Sequence, residues 1–183
     1  MTTRAQRPRA RDAGEAVAWE YGLADELIDA GIDVAALVPD KRLDPVIIGL
    51  RARALRVRSL TQEEECVAYA AGHFLAGGSP VVLMQSSGLG NALNALGSFV
   101  LPYGVGIPLV VSMRGTLGEL NPSQVPMGRA TPALLGALGI QSFSATHPDQ
   151  VRHLARSVVA MAGAGITAAM LLGQELEGYA EHP

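Results

Sequence analysis

Three consecutive carboxylates, Glu63, Glu64 and Glu65, stand just before a long uncharged run, and no Asp, Glu, Lys or Arg follows until Arg114. On a helix, successive residues point about 100° apart, so the three cannot share one environment. One can face inward while the others stay solvated, and one is expected to belong to a catalytic site. The simpler reading is an acidic first turn that complements the helix dipole, worth roughly a few tenths of a kcal/mol. Residue types alone favour the simpler reading.

A second feature is the turn Gln85-Ser86-Ser87-Gly88-Leu89-Gly90-Asn91, which follows an apolar strand and opens a helix. That context suits phosphate binding at a helix N-terminus. Yet Leu93 stands where a dinucleotide fingerprint needs its third glycine, and Arg114, not an acidic ribose ligand, ends the next strand. A nucleotide site therefore ranks last, and a tight strand-to-helix turn is the plain alternative. Beyond the next strand, the loop from Arg114 to Arg129 occupies the place where open α/β sheets put their ligands. Arg114 and Arg129 could grip an oxyanion such as a carboxylate, sulfonate or phosphonate. For both, an ordinary surface charge or an ion pair with Glu119 is the equal alternative. His73, His147, His153 and His182 have no metal-ligand spacing, and His147, before Pro148, is read as a helix cap. No metal site and no Ser/His/Asp set is assigned.

The bulk numbers agree with a chain that packs against another protein. The 183 residues are 49% hydrophobic but only 17% charged, below the roughly 25% charged of an average soluble chain, so surface is expected to meet another protein. A net charge of −3 gives no basic face for nucleic acid. The single Cys66 excludes an internal disulfide, packs as a small hydrophobe and suits a reducing cytoplasm, and no apolar leader opens the sequence. Ala95 to Met113 has the length of a membrane span, but Pro102, Gly104, Gly106 and Pro108 interrupt it.

Stepping along the chain, residues 1–12, with Arg4, Arg7, Arg9 and Arg11, are expected to form a disordered basic tail, and residues 13–183 a single domain. Helices are predicted at about 13–30, 44–54, 62–75, 91–101, 130–138 and 149–162. Strands are predicted at 32–38, 55–60, 80–85, 107–112, 141–143 and 166–172, with 113–127 a long loop. Pro80 to Gln85 is continuously apolar up to Gln85, as in the centre of a parallel sheet. Leu55 to Leu60 alternates with Arg56 and Arg58, as near an edge. The alternation defines a doubly wound α/β domain, mainly parallel, with helices on both faces.

Several segments together resemble the pyrimidine-binding domain of thiamine-diphosphate-dependent decarboxylases. They are Val38-Pro39-Asp40, Glu63-Glu64-Glu65, Tyr69-Ala70-Ala71-Gly72, Met84 to Asn91, Asn94-Ala95-Leu96, Arg114-Gly115, Gly118-Glu119 and Gln124 to Arg129. The resemblance is strongest to the separate alpha subunits of sulfopyruvate decarboxylases, with phosphonopyruvate decarboxylases next. It implies one buried glutamate that hydrogen-bonds the cofactor aminopyrimidine and favours its imino tautomer. Counting back from Tyr69-Ala70-Ala71 selects Glu64, with Glu63 or Glu65 if the register slips. Gln85, Ser86, Ser87, Gly88 and Asn91 are then expected at the cofactor, and Arg114 and Arg129 at an anionic 2-oxo acid. The family's Gly-Asp-Gly motif for diphosphate and Mg2+ does not occur in this sequence. The resemblance therefore implies a beta subunit that holds both, and self-association into α2β2 or larger assemblies. The rival expectation is a catalytically silent domain of the same fold that binds a partner.

Overall fold

The computed structural model describes residues 18–116 and 119–179; the arginine-rich tail and the start of the first predicted helix lie outside them. Six helices and six strands alternate: α1 (Trp19–Asp29), β1 (Val34–Leu37), α2 (Asp44–Ala52), β2 (Arg56–Ser59), α3 (Glu63–Leu75), β3 (Pro80–Gln85), α4 (Leu89–Ala95), β4 (Pro108–Ser112), α5 (Val125–Ala137), β5 (Gln141–Ala145), α6 (Pro148–Gly163) and β6 (Ala168–Leu172). The strands form one sheet in the order β2-β1-β3-β4-β6-β5, and every pair is parallel. The doubly wound expectation is met, with no antiparallel strand among those described.

Side-chain alternation in the strands divides the core in two. Ala35, Leu37, Val81, Leu83 and Val110 pack beneath α1, α2 and α6. Ala36, Val82, Met84, Leu109 and Val111 pack beneath α3, α4 and α5. Burying each large aliphatic side chain contributes about 1.5–3 kcal/mol, and both faces of the central strands gain it. Glu26 of α1, almost fully buried, accepts from Arg156 Nε at 2.7 Å and Arg152 Nε at 3.2 Å, which fastens α6 to α1.

Most predicted boundaries shift by a residue or two, and two shift further. The region expected to be loop up to Met127 contains a 3-10 turn, Pro122–Gln124, and α5 starts at Val125. Proline is tolerated at the first helical positions, where its missing N–H is no loss, and Pro126 sits there. The helix expected to run to Leu101 is regular only to Ala95 and continues as a π turn, Leu96–Val100.

The sheet has a topological switch between β1 and β3, because the chain moves outward from β1 to β2 and then returns across β1 to β3. Ligands of open α/β sheets bind outside the carboxyl ends of the strands at such a switch. The turns that end β1, β3 and β4 meet there.

Candidate functional site

Helix α3 resolves the three carboxylates. Glu63, Cys66, Val67, Ala70 and Ala71 are buried, the i, i+3, i+4, i+7, i+8 stripe of a helix facing a core. Glu64 lies on the opposite stripe with Ala68 and Gly72 and is exposed. Glu65 is also exposed, and its Oε2 accepts from Thr61 N at 3.0 Å, Thr61 Oγ1 at 2.6 Å and Gln62 N at 3.2 Å. Glu65 therefore caps the helix, and those donors hold its carboxyl below the ordinary glutamate range. The inward-facing carboxylate is Glu63, whereas Glu64, the residue selected by counting along the sequence, faces outward.

Glu63 reaches the glycine turn. Its Oε2 accepts from Asn91 Nδ2 at 3.2 Å, and a Cβ on Gly88 would overlap Glu63 Oε1. Only glycine lets the turn approach the carboxylate so closely. The turn Ser86–Gly88 is one of 3-10 geometry before α4. Ser86 is fully buried; its Oγ accepts from Arg114 N at 3.1 Å and its carbonyl from Thr131 Oγ1 at 3.3 Å. Thus Ser86 ties the ends of β3 and β4 to α5. Ser87 Oγ donates to Gln85 Oε1 at 2.5 Å, and Gln85 Nε2 donates to Asp40 Oδ1 at 3.2 Å.

Motifs far apart in sequence pack together here. A Cβ on Gly90 would stand 3.2 Å from Met127 Cε, and one on Gly128 would overlap the Arg114 carbonyl. The stretch Pro126-Met127-Gly128-Arg129 thus works partly as a packing motif that seats α5 on the Arg114 turn. Gly115, at φ 80°, completes that turn in the left-handed region.

The two arginines differ. Arg114 Nε and Nη2 donate to Glu119 Oε2 and Oε1 at 2.7 and 2.8 Å, a bidentate pair. Glu119 also accepts from Gly115 N, Asn121 N and Gln174 Nε2. The Arg114 guanidinium beside it, then the Asn121 and Gly115 amides, hold its carboxyl far below the usual range. Arg114 is therefore neutralised within the chain, whereas Arg129 is exposed on α5.

Sequence reading missed Asp40 as a hydrogen-bond centre and Arg42 as a carbonyl ligand. Asp40 Oδ2 accepts from Ser112 Oγ at 2.5 Å, and Arg42 Nη1 donates to Met113 O at 2.6 Å. Asp40 stood within a matching segment, but nothing local reveals its partners. Cys66 is fully buried; burial, then the Glu63 and Glu65 charges, pushes its thiol up to about 12. A recess of about 280 Å³ lies at the other end of the sheet, among Phe74, Gly77, Gly78, Gly106 and Ala162, with no ionisable side chain in its lining.

Comparison with known proteins fits this geometry. The family model for the thiamine pyrophosphate enzyme N-terminal TPP binding domain matches residues 20–113. The chain belongs to that family. It is 43% identical over 125 residues to sulfopyruvate decarboxylase subunit alpha of Methanothermobacter thermautotrophicus, covering 68% of this chain and 76% of that one. It is 37% identical to the subunit of the same name from Methanococcus maripaludis, over 70% of this chain and 77% of that one. Phosphonopyruvate decarboxylase of Streptomyces hygroscopicus is 36% identical over 69% of this chain and 32% of its own length. In fold, 2-oxoglutarate:ferredoxin oxidoreductase from Magnetococcus marinus superposes with a TM-score of 0.71 at 15% identity, over 87% of this chain and 29% of that chain.

Proposed function

We propose that this chain is the pyrimidine-binding alpha subunit of a two-subunit, thiamine-diphosphate-dependent decarboxylase acting on an anionic 2-oxo acid, sulfopyruvate or phosphonopyruvate. The observation that carries the reading is the inward turn of Glu63 onto Gly88 and Asn91, inside the span matched by the family model. The names of the relatives supply the substrate class and the alpha designation.

The residues fit the cofactor. Asn91 holds one oxygen of Glu63, which leaves the other, above Gly88, for a ring N–H of the aminopyrimidine. A buried carboxylate there would hold that ring by a hydrogen bond and stabilise positive charge on it. When bound, the cofactor supplies the electron sink that makes loss of carbon dioxide from a 2-oxo acid accessible. Gly88 and the buried Ser86 set the depth of that contact and exclude water from the carboxylate. Arg129 carries the anion-binding role better than Arg114, whose charge Glu119 already balances. Mg2+ and the diphosphate are assigned to a beta subunit, and the products to carbon dioxide with sulfoacetaldehyde or phosphonoacetaldehyde. A cytoplasmic site fits the one cysteine, buried and unpaired; no described helix is long and apolar enough to cross a membrane.

The test is reconstitution with the diphosphate-binding subunit and assay of carbon dioxide release from each 2-oxo acid. The wild-type pair should turn over, and the Glu63→Gln pair should assemble yet lose about 100-fold or more in kcat, the scale of a lost proton-handling group. Undiminished turnover by Glu63→Gln would sink the assignment.

A further inference from the structure

The segment after β1 lies as a strap across the carboxyl ends of three other strands. Asp40, three residues beyond β1, takes Gln85 Nε2 on Oδ1 at 3.2 Å and Ser112 Oγ on Oδ2 at 2.5 Å. Those donors are the last residues of β3 and β4, which already pair with each other through the backbone. Two residues on, Arg42 continues the strap: it donates to Met113 O at 2.6 Å, just past β4, and to Leu172 O at 3.3 Å and the Gly173 carbonyl, at the end of β6.

The backbone ladder accounts for the sheet, so the side chains of the strap have a different task. Asp40 bridges the crevice between β1 and β3, at the topological switch. Gln85, fixed from that side, accepts from Ser87 Oγ at 2.5 Å through its other atom, Oε1. Ser87 is the middle residue of the Ser86–Gly88 turn, and Gly88 is the surface on which Glu63 rests. An unbroken relay thus runs Ser112, Asp40, Gln85, Ser87, and ends one residue from the glycine under the carboxylate.

We propose that Asp40 is a positioning residue: through Gln85 and Ser87 it holds the Ser86–Gly88 turn at the depth that Glu63 requires. The proposal rests on the reading of Glu63 given above. Its chemistry predicts a specific pattern of tolerance. In Asp40→Asn, the amide oxygen can still accept from Ser112. Its NH2 can donate to a flipped Gln85, whose own NH2 then meets the Ser87 oxygen. The relay survives with reversed polarity, so geometry and not negative charge is what matters. Asp40→Ala breaks it.

Amide hydrogen exchange on the full chain without cofactor reads the link directly. Asp40→Ala is expected to speed exchange at Ser87 and Gly88 by about tenfold while β3 and β4 stay protected, and Asp40→Asn to leave the turn near wild type. In the reconstituted decarboxylase, Asp40→Ala should lower kcat about tenfold with KM within about twofold, and Asp40→Asn should recover most of the loss. Wild-type exchange at the turn in Asp40→Ala overturns the proposal. So does an Asp40→Asn enzyme as impaired as Asp40→Ala with its turn intact, which would put the carboxylate in the chemistry itself. If Asp40→Ala fails to fold, Gln85→Met cuts the same relay: faster exchange at the turn supports it and unchanged exchange refutes it. Should Glu63→Gln retain full turnover, the reading of Glu63 falls, and the exchange data still decide whether Asp40 holds the turn.

Discussion

Asn91 Nδ2 donates to Glu63 Oε2 at 3.2 Å, joining the first turns of two helices whose residues stand 28 apart in the chain. The contact aims a carboxylate across the glycine turn without neutralising it, since an amide brings no charge. Asn91→Asp should reverse that advantage, because it replaces the amide donor with a second carboxylate beside Glu63 and like charges at this distance repel. The variant is expected to be less stable than wild type at neutral pH. A denaturant melt checks it, and stability equal to wild type would contradict it.

Gly88→Ala tests the close approach. The added methyl overlaps Glu63 Oε1, and forcing a carbon into packed surroundings costs about 1–3 kcal/mol. Glu63→Ala removes the obstructing group, so the two stability losses should be less than additive, a coupling of about 0.5–3 kcal/mol for residues in contact. Denaturant melts of the two single variants and the double variant measure it. Full additivity would place Gly88 elsewhere.

Glu64→Gln should be close to silent, within about twofold in turnover, as expected of a surface change away from special features. Steady-state assay beside Glu63→Gln separates the neighbouring carboxylates.

The contrast shows what the sequence could reveal. Strand β3 was read with its observed bounds because five apolar residues run unbroken to Gln85, and β2 was placed at an edge because Arg56 and Arg58 alternate within it. Both signals are local. The choice among the three glutamates is also local: motif spacing selects Glu64, whereas the apolar stripe Cys66, Val67, Ala70 turns Glu63 inward. The start of α5 was hidden by Pro122 and Pro126, which read as loop formers but sit where helices accept proline. Asp40 was beyond local reading altogether: its partners lie 45 and 72 residues away, and only the fold brings them together.

Glu119 should make the Arg114 turn acid-sensitive. Its folded pKa is depressed, chiefly by the Arg114 hydrogen bonds, so its stabilising contribution is present above the ordinary glutamate pKa. That contribution is lost as pH falls below the ordinary value toward the lower folded one. Melting temperature against pH should fall less steeply in Glu119→Gln than in wild type below about pH 4.3, the free glutamate value. Parallel curves would mean that Glu119 does not bear the load.

Cys66 is expected to be inert. A thiol raised to about 12 holds almost no thiolate at neutral pH, and thiolate is the reactive form. A thiol reagent such as Ellman's should titrate no cysteine in the folded chain and one after denaturation. Rapid labelling of the native protein would show that α3 opens readily.

The arginines of β2 have a consequence for solubility during assembly. An edge strand offers unpaired N–H and C=O groups to any passing strand, and charged side chains on it are a known deterrent to such pairing. Arg56 and Arg58 are exposed on a short four-residue edge, and a second copy docking there in parallel or antiparallel fashion would crowd like charges. Of the two outer strands of the sheet, β2 and β5, the β2 edge thus carries repulsion between like charges. Indiscriminate strand addition there, where fibrous growth could begin, is opposed by two guanidinium groups.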